Sequence, residues 1–206
     1  MNKQNRLLTT LLLTISTMAF AQDLSFGVRG GLNVANLSMD APPYYVNGGA
    51  NINSKETRKS FNLGVYSQQS LNDKMALQAE LFYSGEGASF TNPGTETPQY
   101  IKLSYLSLPL FFKYNIVQNF YAMAGPQFSY LLAAHSVYAS GTSYDALDKH
   151  KKIGVGFVPV IGYDWKKISI NLRYQIGLTS VTRYTDDKVK SNVFSVVVSY
   201  KVFSVE

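Results

Sequence analysis

The sequence predicts an all-β chain closed into an eight-stranded antiparallel up-and-down transmembrane β-barrel, and three observations predict it. Apolar and polar residues alternate with a period of two over segments of about 11 to 16 residues, the mark of strands with one apolar and one polar face. Short turns and long polar connections succeed one another along the chain. Fifteen Tyr, twelve Phe and fifteen Gly accompany only 16% charged residues, and aromatics favour strands and the belts at membrane interfaces.

The chain opens with Lys3 and Arg6 ahead of an apolar and hydroxyl-rich run, Leu7 to Phe20, that ends in Ala19-Phe20-Ala21. That layout is a secretory signal with a small-residue cleavage site. The run is 14 residues long and holds five Ser or Thr, too short and too polar for a spanning helix, which needs about 20 predominantly apolar residues. Residues 1–21 are therefore expected to be a cleaved signal peptide and residues 22–206 a single barrel domain. With no Cys in the chain, a lipid anchor at residue 22, a disulfide framework and a thiolate metal site are all excluded. The formal charge of +6 loses Lys3 and Arg6 to the signal. What is left is modest and scattered, which argues against a nucleic-acid partner.

Within residues 22–206, the first strand sets Leu24, Phe26, Val28 and Leu32 against Ser25, Gly27, Arg29, Gly31 and Asn33. The second, Lys59 to Leu71, sets Phe61, Leu63 and Val65 against Asn62, Gly64 and Tyr66. In the third, Leu77, Ala79, Leu81 and Tyr83 alternate with Gln78, Glu80, Phe82 and Ser84. Tyr100 to Ile116, Phe120 to Ala133 and His150 to Trp165 alternate less cleanly. Ile168 to Ser180 alternates without a break from Ile168, Ile170 and Leu172 to Leu178, and the last strand carries Phe194, Val196, Val198, Tyr200 and Val202 on one face. All are long enough for a tilted transmembrane strand of about 9 to 11 residues.

Asn72-Asp73-Lys74, Val117-Gln118-Asn119 and Lys166-Lys167 read as tight turns. Leu37 to Arg58, Thr91 to Gln99, Ala134 to Lys149 and Arg183 to Lys190 read as long polar connections. Short periplasmic turns and longer extracellular loops are the pattern of an outer-membrane barrel, and they place both termini on the periplasmic side. Tyr114, Phe120, Tyr163, Trp165, Tyr200 and Phe203 are expected to form one aromatic girdle, and Tyr83, Phe90, Tyr100, Tyr130 and Tyr184 the other.

An eight-stranded barrel is just wide enough for its interior to be filled by side chains. The alternation turns Arg29, Gln78, Glu80, Glu86, Lys113, Gln127, Arg173, Gln175 and Lys201 inward. A buried charge without a partner is costly, so Arg29, Arg173 and Lys113 are expected to pair with Glu80 or Glu86. Pro109, Pro126 and Pro159 each remove a ladder donor and are expected at bulges or strand ends.

Phe26-Gly27-Val28-Arg29-Gly30-Gly31-Leu32-Asn33, Tyr105-Leu106-Ser107-Leu108-Pro109-Leu110-Phe111-Phe112-Lys113-Tyr114 and Gly125-Pro126 together resemble the PorT-type outer-membrane β-barrel family of Bacteroidota. The resemblance extends over residues 22–206 and makes Pro109 and Pro126 family features. It implies a fold and an outer-membrane location, and, through one member that belongs to a protein-secretion apparatus, a role beside an export machine. Barrels often end in an outward aromatic. Here the alternation gives Val202 outward and Phe203 inward.

Chemistry is sparse. His135 and His150 border the third long connection near Ser136, Asp145 and Asp148, but adjacent His and Ser on a strand point to opposite faces, so no hydrolase is expected. Two His without a further ligand make no zinc site. Gly154-Val155-Gly156 lacks the third glycine of a dinucleotide loop, and no cofactor is expected. Pro42-Pro43-Tyr44-Tyr45 and Asn47-Gly48-Gly49 put aromatics on a flexible first connection, where binding residues concentrate. The expected partners are outer-membrane lipid and, through the loops, other envelope or secretion proteins. Three functions stay open: a structural or interaction protein that displays loops or assists an export machine, a narrow solute transporter, and a soluble lipocalin-like binder.

Overall fold

The computed structural model of the protein describes residues 23–38, 54–91, 98–137, 142–183 and 189–205. The expected signal peptide, the first-connection aromatics, the Phe90 side chain and Tyr184 lie outside what is described. The strands are β1 (Leu24–Ser38), β2 (Ser54–Ser70), β3 (Met75–Thr91), β4 (Pro98–Val117), β5 (Phe120–Val137), β6 (Ser143–Asp145), β7 (Ile153–Trp165), β8 (Ile168–Gly177) and β9 (Lys190–Val205). All but β6 form one antiparallel ring in the order β4-β3-β2-β1-β9-β8-β7-β5, and pairing of β4 with β5 and of β1 with β9 leaves no edge. Closure is what lets a sheet satisfy every backbone donor in a bilayer.

The turns form for local reasons. Asn72 Oδ1 accepts from the Lys74 and Met75 amides at 2.9 and 2.8 Å, an Asx turn that reverses the chain between β2 and β3. Gln118 and Lys166 take positive φ values of 43° and 56° in the two tightest hairpins, the handedness that matches strand twist in two-residue loops. At the opposite end the strands run past their expected limits. β2 starts at Ser54, and β5 continues to Val137 because β6 folds back on it, pairing Asp145 with His135 and Ser143 with Val137. A 3-10 turn, Leu147–Lys149, then leads to β7.

Two sequence expectations need correction. The prolines mark neither bulges nor strand ends. Pairing of β3 with β4 skips Leu108 and Pro109, that of β4 with β5 skips Leu110 and Phe111 opposite Gly125 and Pro126, and that of β7 with β8 skips Val158 and Pro159. In each case it resumes in the same register. A missing N–H costs the ladder a bond, but the opposite neighbour of each proline stays paired and holds the strand straight: Pro109 with Gln127, Pro126 with Phe157, Pro159 with Ala124. Secondly, Phe203 points outward. Pairing of β1 with β9 shifts by one residue between Phe26 and Gly27, leaving Val202 as a bulge, and the phase of the last residues inverts. Phe203 then stacks on Phe26 with ring centroids 5.0 Å apart.

The outer wall is a continuous apolar belt. Leu63 on β2, Leu110 on β4, Ile161 on β7 and Val198 on β9 are all solvent-exposed, Leu63 by 63% and Ile161 by 61%. A belt of that extent on a folded chain needs an apolar solvent. Toward the short turns it ends in Tyr114, Phe120, Tyr163, Trp165, Tyr200 and Phe203, all outward, with Phe120 and Tyr163 in edge contact at 4.8 Å. The other girdle is sparser: Tyr130 is exposed, Tyr83 and Tyr100 are half-buried, and Phe61 joins it by packing on Tyr83 at 5.6 Å.

Candidate functional site

The inward positions of β1, β3 and β8 meet at mid-lumen. Arg29, Glu80 and Arg173 are only 2%, 2% and 5% exposed. The Glu80 carboxylate receives the Arg29 Nη1 group and, from Arg173, Nη1 at 2.8 Å and Nη2 at 3.3 Å. Gln78 Nε2 adds a fourth donor at 2.8 Å. One carboxylate serves two guanidinium groups, so the layer carries one excess positive charge. Its surroundings spread that charge: Arg29 Nη2 donates to Asn62 Oδ1 at 2.7 Å, Arg173 Nε to Asn171 Oδ1 at 2.9 Å, and the Arg29 guanidinium lies 3.9 Å above the Phe82 ring.

From Asn62 the network continues toward the long connections through Asn33, whose side chain also bonds Ser84, the Gly85 carbonyl and Ser195. Glu86 lies in that direction and departs from the expected pairing. Among the described residues no cation pairs with its carboxylate, which accepts from Ser191 Oγ at 2.5 Å and from Gln175 Nε2 and Ser84 Oγ at 3.4 Å. Lys113 departs as well. It sits on the short-turn side of the layer and pairs with Asp164 at 2.7 Å, over the face of Tyr121 at 3.9 Å. The inward register of β7 carries Val158, Val160 and Asp164, so Asp164 was recoverable as a lumen acid from its phase, two positions before the Lys166-Lys167 turn.

Two small cavities flank the Arg-Glu-Arg layer. One, about 80 Å³, opens toward the short turns beside Gln78, Lys113, Asp164 and Lys201. The other, about 20 Å³, lies beside Glu86, Tyr105, Gln175 and Ser191. Beyond it the lumen becomes apolar: Leu37, Ala88, Leu103, Leu131, Ala134, Ala146, Val181 and Val189 are buried against one another. The alternation did not single out this cap, because an apolar residue on an inward position reads as an irregularity until the facing strands are known. A second buried cluster, Phe111, Tyr121, Met123, Val158 and Val160, fills the β4-β5-β7 side.

The histidines take no part in a constellation. His150 is buried with its ring Nδ1 2.8 Å from the Ala146 carbonyl, and His135 is exposed opposite Asp145. Among the described residues no three His, Cys, Asp or Glu converge as metal ligands.

A closed ring of long strands, apolar outside and ion-paired inside, defines a membrane-spanning β-barrel. The chain belongs to the outer membrane protein beta-barrel domain family, whose model matches residues 20–183. The match ends before β9, the strand that closes the ring on β1. Among solved structures, the neisserial surface protein A is similar at 16% identity over 86% of this chain and 98% of its own, with a TM-score of 0.55. Ail of Yersinia pestis (12% identity, 87% and 98% covered, TM-score 0.46) and OprG of Pseudomonas aeruginosa (13%, 88% and 96%, 0.46) are also similar. No curated protein sequence matches the chain. The protein is thus an outer-membrane β-barrel protein.

Trp165, the chain's one tryptophan, reports on this placement. It faces outward at the short-turn edge of the belt, 58% exposed, where aromatic rings sit at headgroup level. In lipid vesicles its emission is expected to be blue-shifted and quenched more by lipid brominated near the glycerol than near the chain end. Equal quenching by both lipids would misplace the girdle.

Proposed function

We propose that the protein is a sealed barrel with a structural and interaction role, its short turns in the periplasm and its long connections outside, where they display surfaces to other envelope proteins or serve a PorT-type export machine. The observation that carries this reading is the solvent-sealed layer of Arg29, Glu80 and Arg173, which crosses the lumen at mid-height. The apolar cap toward the long connections is a second obstacle to ions. Moving a solute would require separating the ion pairs and then passing a charge or dipole through the cap, each a desolvation step that costs several kcal/mol. In planar bilayers the purified, folded barrel is expected to give no steady stepwise current at moderate voltage. Reproducible conductance steps would overturn the sealed reading in favour of a narrow transporter.

A further inference from the structure

Charge is segregated by sign between the two faces of the wall. The described carboxylates of the eight barrel strands, Glu80, Glu86 and Asp164, all turn into the lumen. Among the described residues the charges on the outward face are cations, and on the strands they gather at one edge. On β2, Lys59 is the next outward residue beyond Phe61, Leu63 and Val65. On β4, Lys102 stands beyond Leu106 with Ser104 between, and its partner across β5 is His135. On β9, Lys190 stands beyond Phe194 with Asn192 between. Lys151 and Lys152, both exposed, lead into β7 at the same end. The described acids of that end, Asp145 and Asp148, belong to the third connection and not to the barrel wall. None of the three ion pairs among the described residues uses any of these lysines. The opposite edge of the wall is aromatic, and its described lysines are in the turns or, like Lys113 and Lys201, face the lumen.

We infer that this edge is a docking surface for phosphate groups on the headgroups of the surrounding lipid. A lysine directly above an apolar belt lays its methylenes along the wall and lifts its ammonium to the interface, where phosphate oxygens are the complementary charge. With no carboxylate among the described residues of the outward wall to compete, the ammonium groups face the anions of the bilayer. Their distribution over β2, β4, β9 and the entry to β7 makes a collar, which suits many lipids around the barrel better than one soluble ligand in a cleft. The assignment of this collar to the outer leaflet rests on the orientation proposed above; the binding itself does not.

The test uses the full-length folded barrel in neutral detergent, with native mass spectrometry counting bound lipid. The probes are bisphosphorylated lipid A and the same lipid after dephosphorylation. The phosphorylated form is expected to bind at least tenfold more tightly, and K59Q/K102Q/K190Q is expected to lose that preference. K166Q/K167Q, which removes charge from the short turns, is expected to keep it. Heat-modifiable migration in detergent gels verifies that each variant is folded. Equal binding of the two lipids, or an equal loss in the turn variant, overturns the collar. Binding of a soluble heparin fragment as tight as that of the lipid overturns the lipid as its occupant. Because no leaflet is defined in micelles, a failure here is separate from any failure of the proposed orientation, which protease accessibility on intact cells reads.

Discussion

Glu80→Ala is expected to lower the unfolding free energy of the barrel by about 3–5 kcal/mol, the cost of removing one partner from a buried ion pair. The magnitude follows from geometry. The carboxylate is the shared partner of Arg29 and Arg173, so its loss leaves two guanidinium groups facing each other in a region closed to water. Neither has a second acid to turn to, since Glu86 bonds Ser191, Gln175 and Ser84 on one side of the layer and Asp164 bonds Lys113 on the other. Two comparisons isolate the cause. Glu86→Gln removes a carboxylate that has no cation and keeps an acceptor for Ser191, so a loss of about 1 kcal/mol, typical of a neutral hydrogen bond, is expected. Replacing the layer together, with Arg29→Met, Glu80→Leu and Arg173→Met, is expected to cost less than Glu80→Ala alone, because no charge is then stranded. Urea unfolding in vesicles followed by Trp165 fluorescence gives all three values. A Glu80→Ala barrel within about 1 kcal/mol of the parent would mean that water reaches the layer.

Glycines on the inner wall give the second large effect, with a built-in contrast. Gly27 and Tyr66 are direct cross-strand partners, as are Gly162 and Tyr121, and each tyrosine lays its ring over its glycine. The three atoms nearest a Cβ at Gly162 all belong to the Tyr121 side chain, whereas one at Gly27 would strike both the Tyr66 ring and the Tyr200 carbonyl oxygen. Gly27→Ala and Gly162→Ala are each expected to destabilise by about 1–3 kcal/mol, the usual range for overpacking. In double-mutant cycles, Tyr121→Ala is expected to absorb most of the Gly162→Ala penalty, because a side chain can be cut away. Tyr66→Ala is expected to leave much of the Gly27→Ala penalty in place, because the Tyr200 backbone stays. Additivity at Gly162 would show that the ring does not cover that glycine.

The same distinction between a residue's own phase and its neighbours' positions separates what was legible in the sequence from what was not. β8 was plain because its outward face meets lipid and its inward face is polar, Ile170, Leu172 and Tyr174 alternating with Asn171 and Arg173, and β9 because Ser195 and Ser199 break its apolar run on the inward side, where Val193 and Val197 also lie. β4 was less clean because both faces are apolar, with Leu106, Leu108 and Leu110 in the belt and Leu103, Tyr105 and Phe111 in the buried clusters. That Arg29, Glu80, Glu86, Lys113 and Arg173 turn inward was readable from period alone. Which acid meets which cation was not.

By itself, then, the sequence determined the class of fold, the strand count, the tight turns and the face on which each charge lies, because a strand fixes side-chain direction every second residue and the bilayer demands apolar residues on one side. The tertiary structure decided the rest. Height in a barrel depends on the stagger of tilted strands, a property of the closed ring that no single strand encodes. That stagger set Glu80 between two arginines, sent Lys113 to Asp164 and left Glu86 to hydroxyl and amide donors. The bulge at Val202 turned Phe203 outward, and the cap sealed one end of the lumen, because both depend on partners more than a hundred residues away.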